Sequence, residues 1–158
     1  MSGFPVRRLV PEDAEAASRT VIASIKHLCA ADHLGDPGLI AAWTANKSPE
    51  ALATWIADPG CATVGAFDGA ACAGVGAAAP ARGEILLAYV NPDHRGRGVT
   101  RSLLAALEDI LIAAGHTEAR LESSATARAF YHAEGWQETG PPAESYGMPG
   151  WPMRKALT

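Results

Sequence analysis

The stretch from Glu84 to Leu104 constrains this chain more than any other. Glu84-Ile85-Leu86-Leu87-Ala88-Tyr89-Val90 is an almost unbroken apolar run, the pattern of a strand covered on both faces. It stops at Asn91-Pro92-Asp93, a turn, and passes through Arg95-Gly96-Arg97-Gly98. It then enters a helical pattern over Val99–Ala114, with Leu103, Leu104, Leu107, Leu111 and Ala114 at helical spacing and Gly115 as the stop. Gly96 and Gly98 carry no side chains to keep a ligand from the backbone. The first N–H groups of a helix lack intrahelical partners, and the helix dipole is positive there. Such a bend is an anion site suited to phosphate oxygens. Arg95, Arg97 and Arg101 add positive charge in a chain whose net charge is −4. A plain strand-to-helix turn with solvated arginines is the alternative for a bare G-x-G. Two other phosphate motifs are excluded: no G-x-x-x-x-G-K-[ST] occurs, and Arg101 stands where a dinucleotide fingerprint needs its third glycine.

The rest of the chain fits one layered α/β domain. Its 158 residues suffice for a single core that buries about two thirds of the unfolded surface. Phe4–Val10 reads as extended, and Pro11-Glu12-Asp13 opens a helix whose stripe runs Ala14, Ala17, Val21, Ile22, Ile25, Leu28. Asp32–Asp36 reads as a loop. One or two short helices follow, around Leu39–Trp43 and Leu52–Ile56. Cys61–Phe67 and Ala71–Ala77 flank Asp68-Gly69, a hairpin signal. After the long helix come a strand at Ala119–Ser123, a helix at Ala125–Ala133, a strand at Trp136–Thr139, a turn at Gly140-Pro141-Pro142 and a last strand near Met153–Leu157. The order β-α-α-β-β-β-α-β-α-β-β makes an α/β (α+β) fold on a mixed sheet.

Hydrophobic residues at 48% and charged residues at 19% suit a soluble globular protein. The acidic balance gives no field for nucleic acid, and no apolar run approaches a membrane span. The start, Met1–Arg8, lacks the apolar stretch of a secretory signal. Cys29, Cys61 and Cys72 are scattered, with no CxxC pair. These features predict a cytoplasmic protein without disulfides or structural zinc.

Arg95-Gly96-Arg97-Gly98-Val99-Thr100 resembles the [QR]-x-x-G-x-[GA] signature of the GNAT superfamily of acetyl-CoA-dependent N-acetyltransferases. Downstream, Ser124-Ala125-Thr126-Ala127-Arg128-Ala129-Phe130-Tyr131, closed by Gly135-Trp136, is similar to the family's N-x-x-A-x-x-F-Y-x-x-x-G-F segment. Thr100 replaces the usual Gly or Ala, and Ser124 the usual Asn. The resemblance implies one GNAT-type domain over 1–158. Its mixed, mostly antiparallel sheet is flanked by helices and splayed between the strands at 84–90 and 119–123.

The same resemblance implies acetyl-CoA as co-substrate. Its pyrophosphate lies on Arg95, Gly96, Arg97, Gly98, Val99, Thr100 and Arg101, and its pantetheine arm runs along Ala88, Tyr89 and Val90. Ser124, Ala127 and Phe130 stand on the far side of the splay. A backbone N–H near Ala88–Val90 polarises the thioester carbonyl. Tyr131 matches the family's general acid, and Glu84 holds the place of a glutamate base in the superfamily's histone acetyltransferases. The bland alternatives are a Tyr131 ring packed with its hydroxyl on a backbone group, and a solvated Glu84 beside Arg82. No residue set has the spacing of a metal site, and Ser123 and Ser124 lack a hydrolase nucleophile's G-x-S-x-G context.

The acceptor expected is a small-molecule amine or a protein or peptide amine, with a homodimer compatible with the fold. Its site falls to Cys29–Ala57 and Gly140–Met148. There Asp32, Asp36, Glu50 and Asp58 suit a cation if they face it. A non-catalytic CoA-binding sensor or scaffold, and a nucleotide-binding domain, are the rival readings.

Overall fold

The computed structural model describes residues 3–158. Met1 and Ser2, which begin the stretch read as lacking a secretory signal, lie outside them. The strands are β1 (Val6–Arg8), β2 (Ala62–Asp68), β3 (Ala71–Ala79), β4 (Glu84–Val90), β5 (Glu118–Ser123), β6 (Gln137–Glu138), β7 (Ala143–Ser145) and β8 (Met148–Ala156). The helices are α1 (Ala14–Leu28), α2 (Ala30–His33), α3 (Pro37–Thr44), α4 (Pro49–Ala57), α5 (Val99–Ala113) and α6 (Arg128–Ala133). The sheet runs β1-β2-β3-β4-β5-β8-β6, with β7 paired to the start of β8. Every pairing is antiparallel except β4 with β5.

Two irregularities in β4 shape the site. Its ladder to β5 holds one register pair, Glu84↔Arg120, with the Arg120 N–H donating to the Gly83 carbonyl at 3.0 Å. Beyond that point the strands part, which is the expected splay. On the other edge, Ala77↔Leu87 is followed by Ala78↔Ile85, so Leu86 is an extra residue, a bulge. The bulge sends Ile85 into the core under α5 and Leu87 into the core under α1. The continuous apolar run therefore has a physical cause: this strand changes facing midway and meets a core on each side.

The α5 face is packed by Leu103, Leu107 and Leu111, all with no exposed surface, at about 1.5–3 kcal/mol for each such side chain. A Cβ on Gly74 would lie 2.6 Å from Val99 Cγ1 and 2.9 Å from Leu103 Cδ1. The helix thus rests directly on the backbone of β3, which sets the height of its N-terminus. On the opposite face α1 buries Ala17, Val21 and Ile25, with Trp43 and Leu52 from α3 and α4 completing that core.

Three local expectations need correction. Asp32–Asp36 is not simply a loop, because Ala30–His33 is a helical turn. His33, buried, pins it, with Nε2 donating to the Ile25 carbonyl at 2.8 Å and Nδ1 accepting from the Gly35 N–H. The helix expected from Ala125 begins at Arg128, since the preceding residues form a turn held by side chains. The last strand is longer than expected and starts at Met148. Pro152 has no N–H to give, but its carbonyl accepts from the Thr139 N–H at 3.0 Å, which lets it sit in the ladder. Cys29 and Cys72 are buried, Cys61 is half-buried, and all three are free thiols. Among the described residues no helix is long and apolar enough to cross a membrane.

Candidate active site

Gly96 and Gly98 adopt φ of +77° and +85°, a left-handed backbone that favours glycine. Gly98 is the N-cap of α5. The first α5 N–H with an intrahelical acceptor is that of Ser102, which donates to the Gly98 carbonyl at 3.1 Å. The Val99, Thr100 and Arg101 amides are left free of intrahelical partners. A Cβ on either glycine would meet no atom within 4 Å, so the mouth of the loop is open. The turn before it is tied to β3. The Asn91 N–H donates to the Ala73 carbonyl at 2.8 Å and its Nδ2 to the Cys72 carbonyl at 3.1 Å, while Oδ1 accepts from the Asp93 N–H at 3.0 Å.

The three arginines divide. Arg97 turns away from the loop mouth to Asp68 at 3.5 Å and lies 5.3 Å over the Phe4 ring. Arg101 grips Glu134 through two bonds of 3.1 and 2.8 Å, which holds the Glu134 carboxyl below the usual carboxylate range. Arg95 is exposed at the loop mouth and has no ion-pair partner among the described residues.

A cleft of about 430 Å³ leads from this loop along Ala88, Tyr89 and Val90, with Ser124, Ala127, Phe130 and Tyr131 as its far wall. Every residue expected to hold the cofactor lines it except Arg97. The Val99 side chain itself sits in the core. Ser124 Oγ is already engaged, accepting from the Ala127 N–H at 3.2 Å. Cys29 also lines this cleft. Burial, then the Asp32 charge, pushes its thiol up to about 12, so it stays protonated at neutral pH.

A second cavity, about 310 Å³, opens on the other side of the splay between β4 and β5. The two share Ala88, Tyr89, Ser124, Ala127 and Tyr131 as walls. Tyr131, the residue singled out from sequence, therefore stands where they meet. It is buried, edge-on to Phe130 and Trp136 with ring centroids 5.7 and 5.9 Å apart. Burial alone pushes its phenol up to about 12, with no hydrogen bond offsetting it, so the hydroxyl keeps its proton. Tyr89 Oη accepts from Trp43 Nε1 at 3.0 Å, and burial raises its phenol further still. Glu84 lines the second cavity but at its edge: its side chain is 39% exposed and pairs with Arg82 at 3.1 Å.

The acids expected near the acceptor mostly serve the backbone. Asp36 caps α3 and Asp58 accepts from the Gly60 N–H, while Glu50 sits exposed in the first turn of α4. His94 faces Asp68 at 3.2 Å instead of the loop mouth, and His132 faces Glu138 at 2.7 Å. Asp32 is different. It is buried and accepts from the Ala125 N–H at 2.6 Å, the Thr126 N–H at 3.0 Å and the Thr126 hydroxyl at 2.5 Å. It holds the turn that walls both cavities. Lys47 and Tyr146, which also line the second cavity, carry no local pattern that marks them in the sequence.

Among the described residues no group of three or more His, Cys, Asp or Glu side chains is placed to hold a metal ion. The cavity walls instead fit a long ligand with an anionic end: open amides and Arg95 at one end, a channel along β4, and a buried phenol at the other.

Residues 21–157 match the family model described as an acetyltransferase (GNAT) domain. Among solved structures, the chain is similar to a GCN5-related N-acetyltransferase from Rhodopseudomonas palustris, with a TM-score of 0.87, 27% identity and 99% and 98% of the two chains covered. It also resembles the PaiA N-acetyltransferase from Thermoplasma acidophilum in complex with coenzyme A, with a TM-score of 0.78, 22% identity and 99% of each chain covered. A third is the aminoglycoside 6'-N-acetyltransferase from Enterococcus faecium, with a TM-score of 0.73, 15% identity and 98% of each covered. Among curated proteins no sequence matches significantly. With the family model spanning most of the chain, and an open mixed sheet splayed beside a glycine loop, the protein belongs to the GNAT acetyltransferase family.

Proposed function

We propose that this chain transfers an acetyl group from acetyl-CoA to a primary amine. One observation carries the reading: a cleft that begins at an anion-binding loop and a separate cavity meet at the Tyr131 wall inside the gap between β4 and β5. A module that only binds CoA has no need of that second cavity. The Thermoplasma relative in complex with coenzyme A supports the choice of ligand. The Val99, Thr100 and Arg101 amides hold the diphosphate with Arg95, and Ala88–Val90 guide the arm toward Tyr131. The bound thioester supplies an acyl carbon open to direct attack by a neutral amine. Backbone N–H groups of β4 beyond its bulge, where β5 no longer pairs, face the gap and stabilise charge growing on an oxygen there. Tyr131 holds a proton at Oη for the departing thiolate, and its buried ring fixes where that proton sits. Glu84, on the rim of the acceptor cavity, takes the ammonium proton out toward solvent.

Tyr131→Phe tests this reading. Turnover with a working amine is expected to fall at least tenfold, while the CoA dissociation constant measured by calorimetry stays within about twofold. Since Tyr131 keeps its proton until about pH 12, the wild-type rate loses nothing to this group up to pH 10. Equal turnover in variant and wild type removes Tyr131 as the acid.

Glu84→Gln separates base from bystander. If Glu84 is the base, Glu84→Gln loses most turnover below the pKa of the free amine, where less neutral amine is present. The effect shrinks as pH rises toward the pKa of the free amine. A pH-independent loss instead assigns Glu84 to binding.

A further inference from the structure

Lys47 follows α3 and precedes Ser48, the N-cap of α4. Its backbone is fixed at both ends: its N–H donates to the Thr44 carbonyl at 3.0 Å, and its carbonyl accepts from the Ser18 hydroxyl at 2.6 Å. The residue is 4% exposed and lines the acceptor cavity. Its ammonium donates to Asn46 Oδ1 at 2.5 Å and weakly to the Trp43 carbonyl at 3.5 Å, and lies 5.2 Å from the centre of the Tyr146 ring. Asn46 Nδ2 in turn donates to Tyr146 Oη at 3.1 Å. All of these partners are neutral.

A buried ammonium with no anion beside it is costly, and sequences seldom keep one without use. Desolvation holds its pKa below the usual lysine value. Of the carboxylates that line the cavity, Asp32 and Glu84 are engaged. Asp32 is spent on three donors of the 125–126 turn. Glu84 pairs with Arg82. Glu122, exposed on β5, lies against Gly150 on the opposite wall and has no ion-pair partner among the described residues. The cavity thus offers a fixed cation on the helical side, a free carboxylate on the strand side, and aromatic surface from Trp43, Trp55 and Tyr146 between them.

We propose that the acceptor is a primary amine that also bears a carboxylate, with Lys47 binding the carboxylate and the Glu122 side receiving the amine. This rests on the acetyl-transfer reading and narrows it to amino acids with apolar or aromatic side chains. It disfavours polycations, which would bring further positive charge to Lys47.

The test uses matched acceptors with and without the carboxylate: phenylalanine against phenethylamine, and tryptophan against tryptamine. Spermidine and an aminoglycoside serve as polycations. Wild type, Lys47→Met and Lys47→Arg are each read by CoA release. For wild type, kcat/KM is expected to be at least thirtyfold higher for the acid of each pair. Lys47→Met is expected to remove most of that preference by raising KM for the acid of each pair, and Lys47→Arg to keep part of it. Lys47→Met deletes a buried charge without a cavity, so its melting temperature is expected to equal or exceed that of wild type. Preference for a polycation or a decarboxylated amine overturns the proposal, as does an equal loss for both members of a pair. Absence of turnover on every amine, with CoA still bound by calorimetry, instead overturns acetyl transfer itself.

Discussion

Gly98→Val is expected to raise the CoA dissociation constant at least a hundredfold while the protein still folds. Gly98 sits at φ +85° with no atom within 4 Å of where a Cβ would stand. In the proposed binding mode that empty space is where the diphosphate approaches the α5 amides, and two methyl groups there stand between ligand and backbone. A hundredfold loss corresponds to about 2.7 kcal/mol, less than the several donors of such a nest supply together. The left-handed backbone adds a second cost, about 1–3 kcal/mol of strain on the folded state. Gly115 separates the two effects. It has φ +96°, an equally open surrounding, and a position at the far end of the same helix. Gly115→Val is expected to lower the melting temperature comparably and leave CoA affinity unchanged. Retained affinity in Gly98→Val, measured by isothermal calorimetry, would place the coenzyme elsewhere.

The parts of this fold that could be read from sequence are those whose cause is local. The glycine loop, the long α5 stripe ending at Gly115, and the Asp68-Gly69 hairpin each carry their own stereochemistry. Their places in the structure follow from it. The splay between β4 and β5 came only through the family resemblance, since nothing in either strand says that their ladder stops after Glu84↔Arg120. The bulge at Leu86 was half visible: an apolar run without alternation reports cover on both faces, not the change of facing that produces it. What stayed hidden was long-range. Arg101 looks like a phosphate ligand until Glu134, on the loop after α6, takes it. Asp32 looks like a solvated acid near the acceptor, because its three partners lie more than 90 residues along the chain. Lys47 is one lysine among surface-like residues until the fold closes over it.

Asp32→Ala is the second large effect. The substitution leaves the Ala125 and Thr126 N–H groups and the Thr126 hydroxyl without their acceptor in a partly buried turn. Each unsatisfied group costs about 1–3 kcal/mol, with water regaining some of it. A loss of about 3 kcal/mol of unfolding free energy by urea denaturation is therefore expected. The functional effect runs through the same turn. Ser124, Thr126 and Ala127 wall the cofactor cleft, and the turn leads directly into α6 with Tyr131 on it. CoA affinity is expected to fall about tenfold, and turnover at saturating CoA by more than the tenfold of Tyr131→Phe, because a displaced α6 moves the proposed proton donor as well. Asp32→Asn keeps one carbonyl acceptor and is expected to lose less of each. Asp36→Ala supplies the control for a lost carboxylate nearby. It removes an exposed N-cap of α3 at about 1 kcal/mol and touches neither cavity, so affinity and turnover are expected to hold. If Asp32→Ala costs stability while CoA affinity and turnover match wild type, the turn is a structural clasp only, and the cleft wall is set by the strands.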